Sequence, residues 1–408
     1  MDCVLTNANV LDVRAGTILP GRSVSILEGR IDEVSDGRLR AKDAATFDLK
    51  GRTLMPGLAD AHVHVTAVTA NFAALRELSP SYVAACAVHI LEGMINRGFT
   101  TVRDAGGADY GLADAINEGF IRGPRLLFCG HALSQTGGHG DMRSRGTMSL
   151  DQCACCAGLG TVCDGVAEVR RAARDEIRKG ATHIKMMVSG GVSSPTDRIT
   201  STQFSREEIT AAVEEAEAAN LYVMAHAYTA RAINRALECG VRSIEHGNLL
   251  DERSADLFLE KGAFLVPTLS AYRTLAERGL EAGLPKDLHA KIFEVMDAGM
   301  AALELAHRRG VTIVYGTDLL GMLHGEQSLE FSIRREIQKP IDVIRSATIH
   351  AAALFQMEGE IGVVEPGARA DLLVVDGNPL EELDCLQEQG RHLRAILKDG
   401  EFYKNELA

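Results

Sequence analysis

Two histidines separated by one residue, His62-Val63-His64, close the apolar run LADAHVHV. In an extended strand residues i and i+2 share a face, so both imidazoles can reach one ion. Four more side chains of related chemistry stand in or at the end of β-type runs. They are Lys185 in HIKMMV, His226 in LYVMAHAY, His246 in RSIEHG and Asp318 closing VTIVYGTD. Neutral imidazole and carboxylate are ligands for zinc first, and also for Mn, Co or Fe. A lysine among such ligands is odd, because an ammonium repels divalent cations. Burial and neighbouring cations lower a lysine pKa, and a neutral amine can take up carbon dioxide. The carbamate formed is an anionic, bidentate group able to bridge two metals, which makes Lys185 the centre of the set.

These residues need a frame that brings five strand ends together. Eight strands are predicted, at 58–65, 99–106, 125–132, 183–190, 221–228, 242–247, 263–269 and 311–318, with amphipathic helical stretches between most of them. Gly98, Gly180, Gly240, Gly262 and Gly310 sit between helix and next strand, where a helix C-terminus wants a left-handed residue. Eight strand–helix units over about 290 residues match an α/β fold of the (β/α)8 barrel type, whose active sites lie at the C-terminal ends of the strands. No G-x-G-x-x-G follows a first strand, which disfavours an open doubly wound sheet. Residues 1–56 and 359–408 are rich in short strands with hairpin punctuation. They are expected to form one small β-sandwich domain from both ends, with 57–358 as the barrel inserted between them. The long aperiodic stretch 133–164 follows a strand end and is expected as a loop over the barrel mouth.

Composition narrows the partners. The chain has 408 residues, 43 Lys+Arg against 56 Asp+Glu, and a net charge of −13. That balance disfavours nucleic acids and anionic membrane surfaces. No apolar run reaches the roughly 18 residues of a membrane span. Nine cysteines and no export signal predict reduced thiols and a cytoplasmic protein.

TLMPGLADAHVHV, HIKMMVSGG, VMAHAYT, SIEHGN and YGTD resemble the metal-ligand strands of the amidohydrolase superfamily. Within it the chain is similar to the prolidase-like and imidazolonepropionase-like branch, whose closing segment ATIHAAALF…IGVVEPGARADLLVVDGNPLEEL resembles. The resemblance implies a distorted barrel with a β-sandwich, hydrolysis of amide or related bonds, and a homo-oligomer. It also implies two divalent ions. His62, His64 and Asp318 would hold the more buried one, His226 and His246 the second, with carboxylated Lys185 as the bridge.

Water held by two cations ionises near neutral pH. Asp318 is then placed to accept its proton and pass it to the leaving amine, as catalytic base and acid. Tyr228, two residues beyond His226, is expected to contact substrate and donate a hydrogen bond to the scissile carbonyl. His139 in GGHGD resembles the loop histidine of prolidase-like members that receives a substrate carboxylate. Arg198 is a second candidate for that role, with solvent exposure the competing reading. His324 resembles a recurrent branch motif or serves a helix start, while His89, His289 and His307 fall in helical patterns and are not expected as ligands. Cys153, Cys155, Cys156 and Cys163 lack the paired C-x2-C spacing of structural zinc, so a thiol-bearing lid is expected.

The reading that follows is a metal-dependent dipeptidase acting on a small-molecule substrate, first Xaa-Pro (a prolidase), because GGHGD, HAYT and the CACC segment resemble that subgroup. Xaa-Arg/Lys dipeptides, N-acyl amino acids and cyclic amides are the alternatives within enzymes. A non-catalytic assembly protein that kept the barrel is the alternative from another class, and the intact set of six disfavours it.

Overall fold

The computed structural model describes residues 2–37, 39, 44–147 and 158–407. Strands from the two chain ends make one sheet. They are β1 (Cys3–Asp12), β2 (Thr17–Leu27), β3 (Arg30–Ser35), β4 (Ala45–Asp48) and β5 (Thr53–Pro56) from the first end. The order runs from three C-terminal strands through β5 and β1 to β2 and β3, with β4 against β1. β1 pairs with β4 along its first half and with β5 near its end, so the sheet folds over as a sandwich around Leu5, Val24, Ile26, Leu54, Leu372 and Val374.

The barrel strands follow: β6 (Leu58–Val63), β7 (Phe99–Asp104), β8 (Arg125–Leu127), then the accessory pair β9 (Ala132–Ser134) and β10 (Gly160–Val162). Continuing are β11 (Ile184–Met187), β12 (Val223–Thr229), β13 (Ser243–Leu249), β14 (Phe264–Val266) and β15 (Thr312–Ile313). All eight predicted strands are present, in parallel order, and most are shorter than expected. The ladders β6-β7-β8 and β11 through β15 are continuous. A few main-chain bonds close the ring, from Thr182 N to Phe128 O (2.8 Å) at one seam and from Ala61 N to Tyr315 O (2.8 Å) and Asp318 N to His62 O (2.8 Å) at the other. The barrel is therefore distorted at two seams. The shortening is local: after Ile313 the chain leaves the ladder and turns Asp318, at φ +53°, to the mouth, while His246, at φ +75°, stays paired with Ala227 inside β13.

Helices between the strands end where the glycines predict. Gly262 and Gly310 cap their helices in the left-handed conformation. A reciprocal capping box, Ser205 with Glu208, starts the helix Arg206–Ala218. No helix among the described residues is long and apolar enough to cross a membrane.

Strands β16 (Leu372–Val375), β17 (Leu393–Lys398) and β18 (Glu401–Asn405) complete the first sheet. The run LLVV of β16 is buried on both faces. Leu372 and Val374 enter the sandwich core, while Leu373 and Val375 pack against Leu91, Ile95 and Phe99 of the barrel. Gly98 marks how close the two layers come. It holds φ +90°, and a Cβ there would lie 2.8 Å from Leu393 Cδ1.

A polar clamp spans the same boundary. Arg125 of β8 donates to Asp371 (2.6 Å) and Asp399 (2.7 Å), and Asp371 is 2% exposed. Asp371→Ala is expected to destabilise the protein by about 1–3 kcal/mol, because Arg125 keeps its burial and loses its main acceptor. Thermal melting checks this, and an unchanged midpoint would show that the clamp contributes nothing.

Candidate active site

His62 is on the last turn of the β6 pleat and His64 just beyond it, while Val63 between them faces the barrel–helix core. Asp318, in its left-handed conformation, hydrogen-bonds its own N–H to His62 O at 2.8 Å. The carboxylate thereby comes back over the strand: Asp318 Oδ1 lies 3.3 Å from His62 Nε2 and 3.2 Å from His64 Nε2. Ligand atoms of His62, His246 and Asp318 all fall within 4.8 Å of one another. The His226 and His246 rings meet edge to face at 4.6 Å, and His246 is 5.1 Å from His62.

Whether this set suits divalent ions is decided by its hydrogen bonds. Each imidazole has one nitrogen already engaged outside the cluster. His62 Nδ1 meets Glu245 at 2.7 Å, His64 Nδ1 meets Gly106 O at 2.9 Å, His246 Nδ1 meets Thr268 Oγ1 at 2.7 Å, and His226 Nε2 meets Gly190 O at 3.0 Å. The second nitrogen of each ring is left as a lone pair for the centre, the arrangement metal-binding histidines use. Lys185 is 1% exposed and makes no hydrogen bond or ion pair among the described residues. Burial lowers its pKa, against the pull of Glu245 and Asp318. An unpaired buried ammonium is costly, and a carbamate on Nζ facing cations would remove the cost. The donor set therefore fits divalent cations.

Behind the histidines lies a layer that the sequence reading did not single out. Glu245 and Arg103 are fully buried. Arg103 donates to Glu245 Oε1 (2.9 Å), Ser243 Oγ (3.1 Å) and Ala61 O (2.7 Å), while the other Glu245 oxygen takes His62. Burial alone would raise the Glu245 pKa, but Arg103 and His62 outweigh it and hold the carboxylate ionised. Asp60 accepts from His62 N, from Thr317 and from Gln327, tying the β6 end to the segment after β15. The available signal was a charged residue inside an apolar run: Asp60 in LADAHV, Arg103 in FTTVRD, Glu245 in SIEHGN.

A cavity of about 270 Å³ opens above this centre. His62, His64, Lys185, His226, His246 and Asp318 all line it, as do the candidates His139 and Tyr228. His139 is buried and stacks on His226 at 4.2 Å. Burial, with Lys185 and Lys291 nearby, pushes its pKa down to about 4 against the opposing effects of Asp197 and Asp318. Tyr272 donates its hydroxyl hydrogen to Tyr228 (3.1 Å), so the Tyr228 hydrogen is available to the cavity. Arg198 is not brought here. It is exposed, its carbonyl receiving Ser201 N while the side chain lies outside the lining.

His324 also stays outside, in a 3-10 turn, with Nε2 3.2 Å from Ala67 O. His289 bonds Ala276 O from a helix. The stretch 133–164 does reach the mouth, through His139, Met142, Leu159 and Thr161. Of the cysteines read there, Cys153, Cys155 and Cys156 lie outside the described residues, and Cys163 is buried with a free thiol. His131, not singled out from sequence, lines the cavity and pairs with Glu176 at 3.1 Å.

The model of the family described as "Amidohydrolase family" matches residues 53–401. Ochratoxinase of Aspergillus niger is 35% identical over 365 residues, 86% of this chain and 75% of that protein. A prolidase solved with N-methylphosphonate-L-proline superposes with a TM-score of 0.97 at 48% identity, covering 99% of this chain and all of the other. A Xaa-Pro dipeptidase with methionine in its active site gives a TM-score of 0.89 at 31% identity, over 99% of this chain and all of the other. With barrel, sandwich and strand-end cluster in place, these matches settle the family: the chain belongs to the amidohydrolases and is a hydrolase acting on amide bonds.

Proposed function

We propose that this enzyme is a binuclear metal-dependent dipeptidase that cleaves Xaa-Pro. The observation that carries the proposal is one cavity holding six convergent ligand groups beside His139 and Tyr228. The prolidase with a proline phosphonate, 48% identical over nearly the whole chain, supports the choice of substrate. Divalent ions at the six residues would supply Lewis acidity and an acidified water. Asp318, its carboxylate 3.3 Å from His62 Nε2 and 3.2 Å from His64 Nε2, takes the proton of the attacking water. The same carboxyl then returns it to the leaving nitrogen. The Tyr228 hydroxyl donates to the carbonyl oxygen as it gains charge. His139, which lines the cavity together with Val192 and Ser193, meets the carboxylate of the leaving residue.

A second reading is favoured by the charges of the lining. Asp175 and Glu176 are both ion-paired with Lys179, and Asp318 sits among imidazoles. No described lining carboxylate is free for a substrate ammonium, which favours an N-acyl amino acid over a dipeptide with a free N-terminus.

Enzyme reconstituted with zinc and bicarbonate is expected to release proline from an Xaa-Pro pool, with Lys185→Ala silent. Release from N-acyl amino acids alone would replace the first reading by the second. Silence on both pools with two ions bound per chain would sink both.

A further inference from the structure

Lys291, in the helix Lys286–Ile292, is remote in sequence from every strand end that carries the site. Its ammonium donates to three main-chain carbonyls of a single turn: Ser194 O at 2.9 Å, Asp197 O at 2.9 Å and Gly191 O at 3.3 Å. It also lies 3.8 Å from the Asp197 carboxylate. An ammonium has three hydrogens, and all three are spent on this turn. Without it, three carbonyls and a buried carboxylate would converge with no cation between them.

The turn it gathers encloses His139. Ser194 gives its hydroxyl hydrogen to Asp197 in a short hydrogen bond. Ser194 Oγ is then an acceptor for His139 Nδ1, 2.8 Å away, which leaves the ring's Nε2 without a partner among the described residues. Gln203 braces the same assembly, donating to Asp197 (2.9 Å) and accepting from His139 N (2.9 Å). Gly191 presses on the ring directly, since a Cβ there would come within 2.1 Å of it. The His139 ring also stacks on His226 at 4.2 Å.

We infer that Lys291 is a positioning residue for substrate binding: by gathering the 191–197 turn it fixes the orientation in which His139 meets the substrate carboxylate. This rests on the reading of His139 given above. Lys291 is not among the residues lining the cavity, so its removal acts through the turn on one ring. The expected signature is a change in KM with kcat and metal content retained.

The experiment compares Lys291→Met and Gly191→Ala, alone and each combined with His139→Ala, by steady-state kinetics on an Xaa-Pro dipeptide, zinc content and thermal melting. Lys291→Met is expected to raise KM about tenfold with kcat within about twofold, two zinc ions retained, and no further change when added to His139→Ala. Gly191→Ala should raise KM in the same way and become neutral once His139 is alanine, because the collision is then gone. This second variant decides the question if Lys291→Met does not fold. KM penalties that add in full to that of His139→Ala, or no KM effect of either variant, would overturn the inference while leaving the role of His139 intact. If His139→Ala itself leaves KM unchanged, the carboxylate reading fails, and the positioning role fails with it.

Discussion

Asp318→Asn is expected to retain its metal and to lose turnover by about two to four orders of magnitude. Asparagine matches aspartate in shape and tolerates the left-handed conformation (φ +53°) that this position requires. Its amide oxygen can still face the cluster of His62 and His64 at about the distances seen for Asp318. What it cannot do is accept a proton from water and hand it to a leaving amine. Binding geometry is thus kept while proton transfer is removed. Metal analysis alongside kcat on the best Xaa-Pro substrate measures the two separately. Near-normal turnover would reject Asp318 as the proton carrier. Loss of metal together with turnover would show that the carboxylate charge serves the ions rather than the proton.

The second large effect lies one layer deeper. Glu245→Ala is expected to lower stability by about 3–5 kcal/mol, because Arg103, fully buried, is left without its carboxylate. The same change frees His62 Nδ1 from its 2.7 Å contact and should weaken metal binding by about 10- to 100-fold. Replacing both partners is the informative control. An Arg103→Met, Glu245→Met double variant removes the unpaired charge, so it should recover most of the stability and none of the metal affinity. Recovery of both would mean that Glu245 does nothing for His62 beyond neutralising Arg103.

The strand ends were legible because their chemistry is incongruous. Imidazole, amine and carboxylate interrupt apolar β-type runs at His62, Lys185, His226, His246 and Asp318, and a period of two places His62 and His64 together. Glu245 escaped the same logic for a physical reason. It is adjacent to His246, and regular alternation would send neighbours to opposite faces. The left-handed φ of +75° at His246 breaks that alternation, so both residues meet His62. Nothing in SIEHGN announces the break. Strand lengths were overestimated by the same mechanism, since 311–318 reads as one run but leaves the ladder after Ile313 to turn Asp318 over the site. Arg198 was a matter of composition alone: its charge suited a carboxylate, but sequence does not say which way a loop side chain points. The network around Lys291 was invisible for a similar cause, because three of its four partners are main-chain carbonyls and carry no residue signature.

The pairing of β5 with β16 has a consequence for how the protein is made. Thr53 and Val375 are register partners roughly 320 residues apart. At ribosomal rates of about 5–20 residues per second, β5 waits on the order of half a minute before its partner is synthesised. During that time Leu54 and Met55, buried in the finished protein, belong to an open strand edge next to a barrel still being completed. Ribosome-bound chains ending before Leu372 should therefore engage chaperones through this edge and release them once β16 emerges. Strands β16 to β18 would then act as the seal on the barrel translated before them.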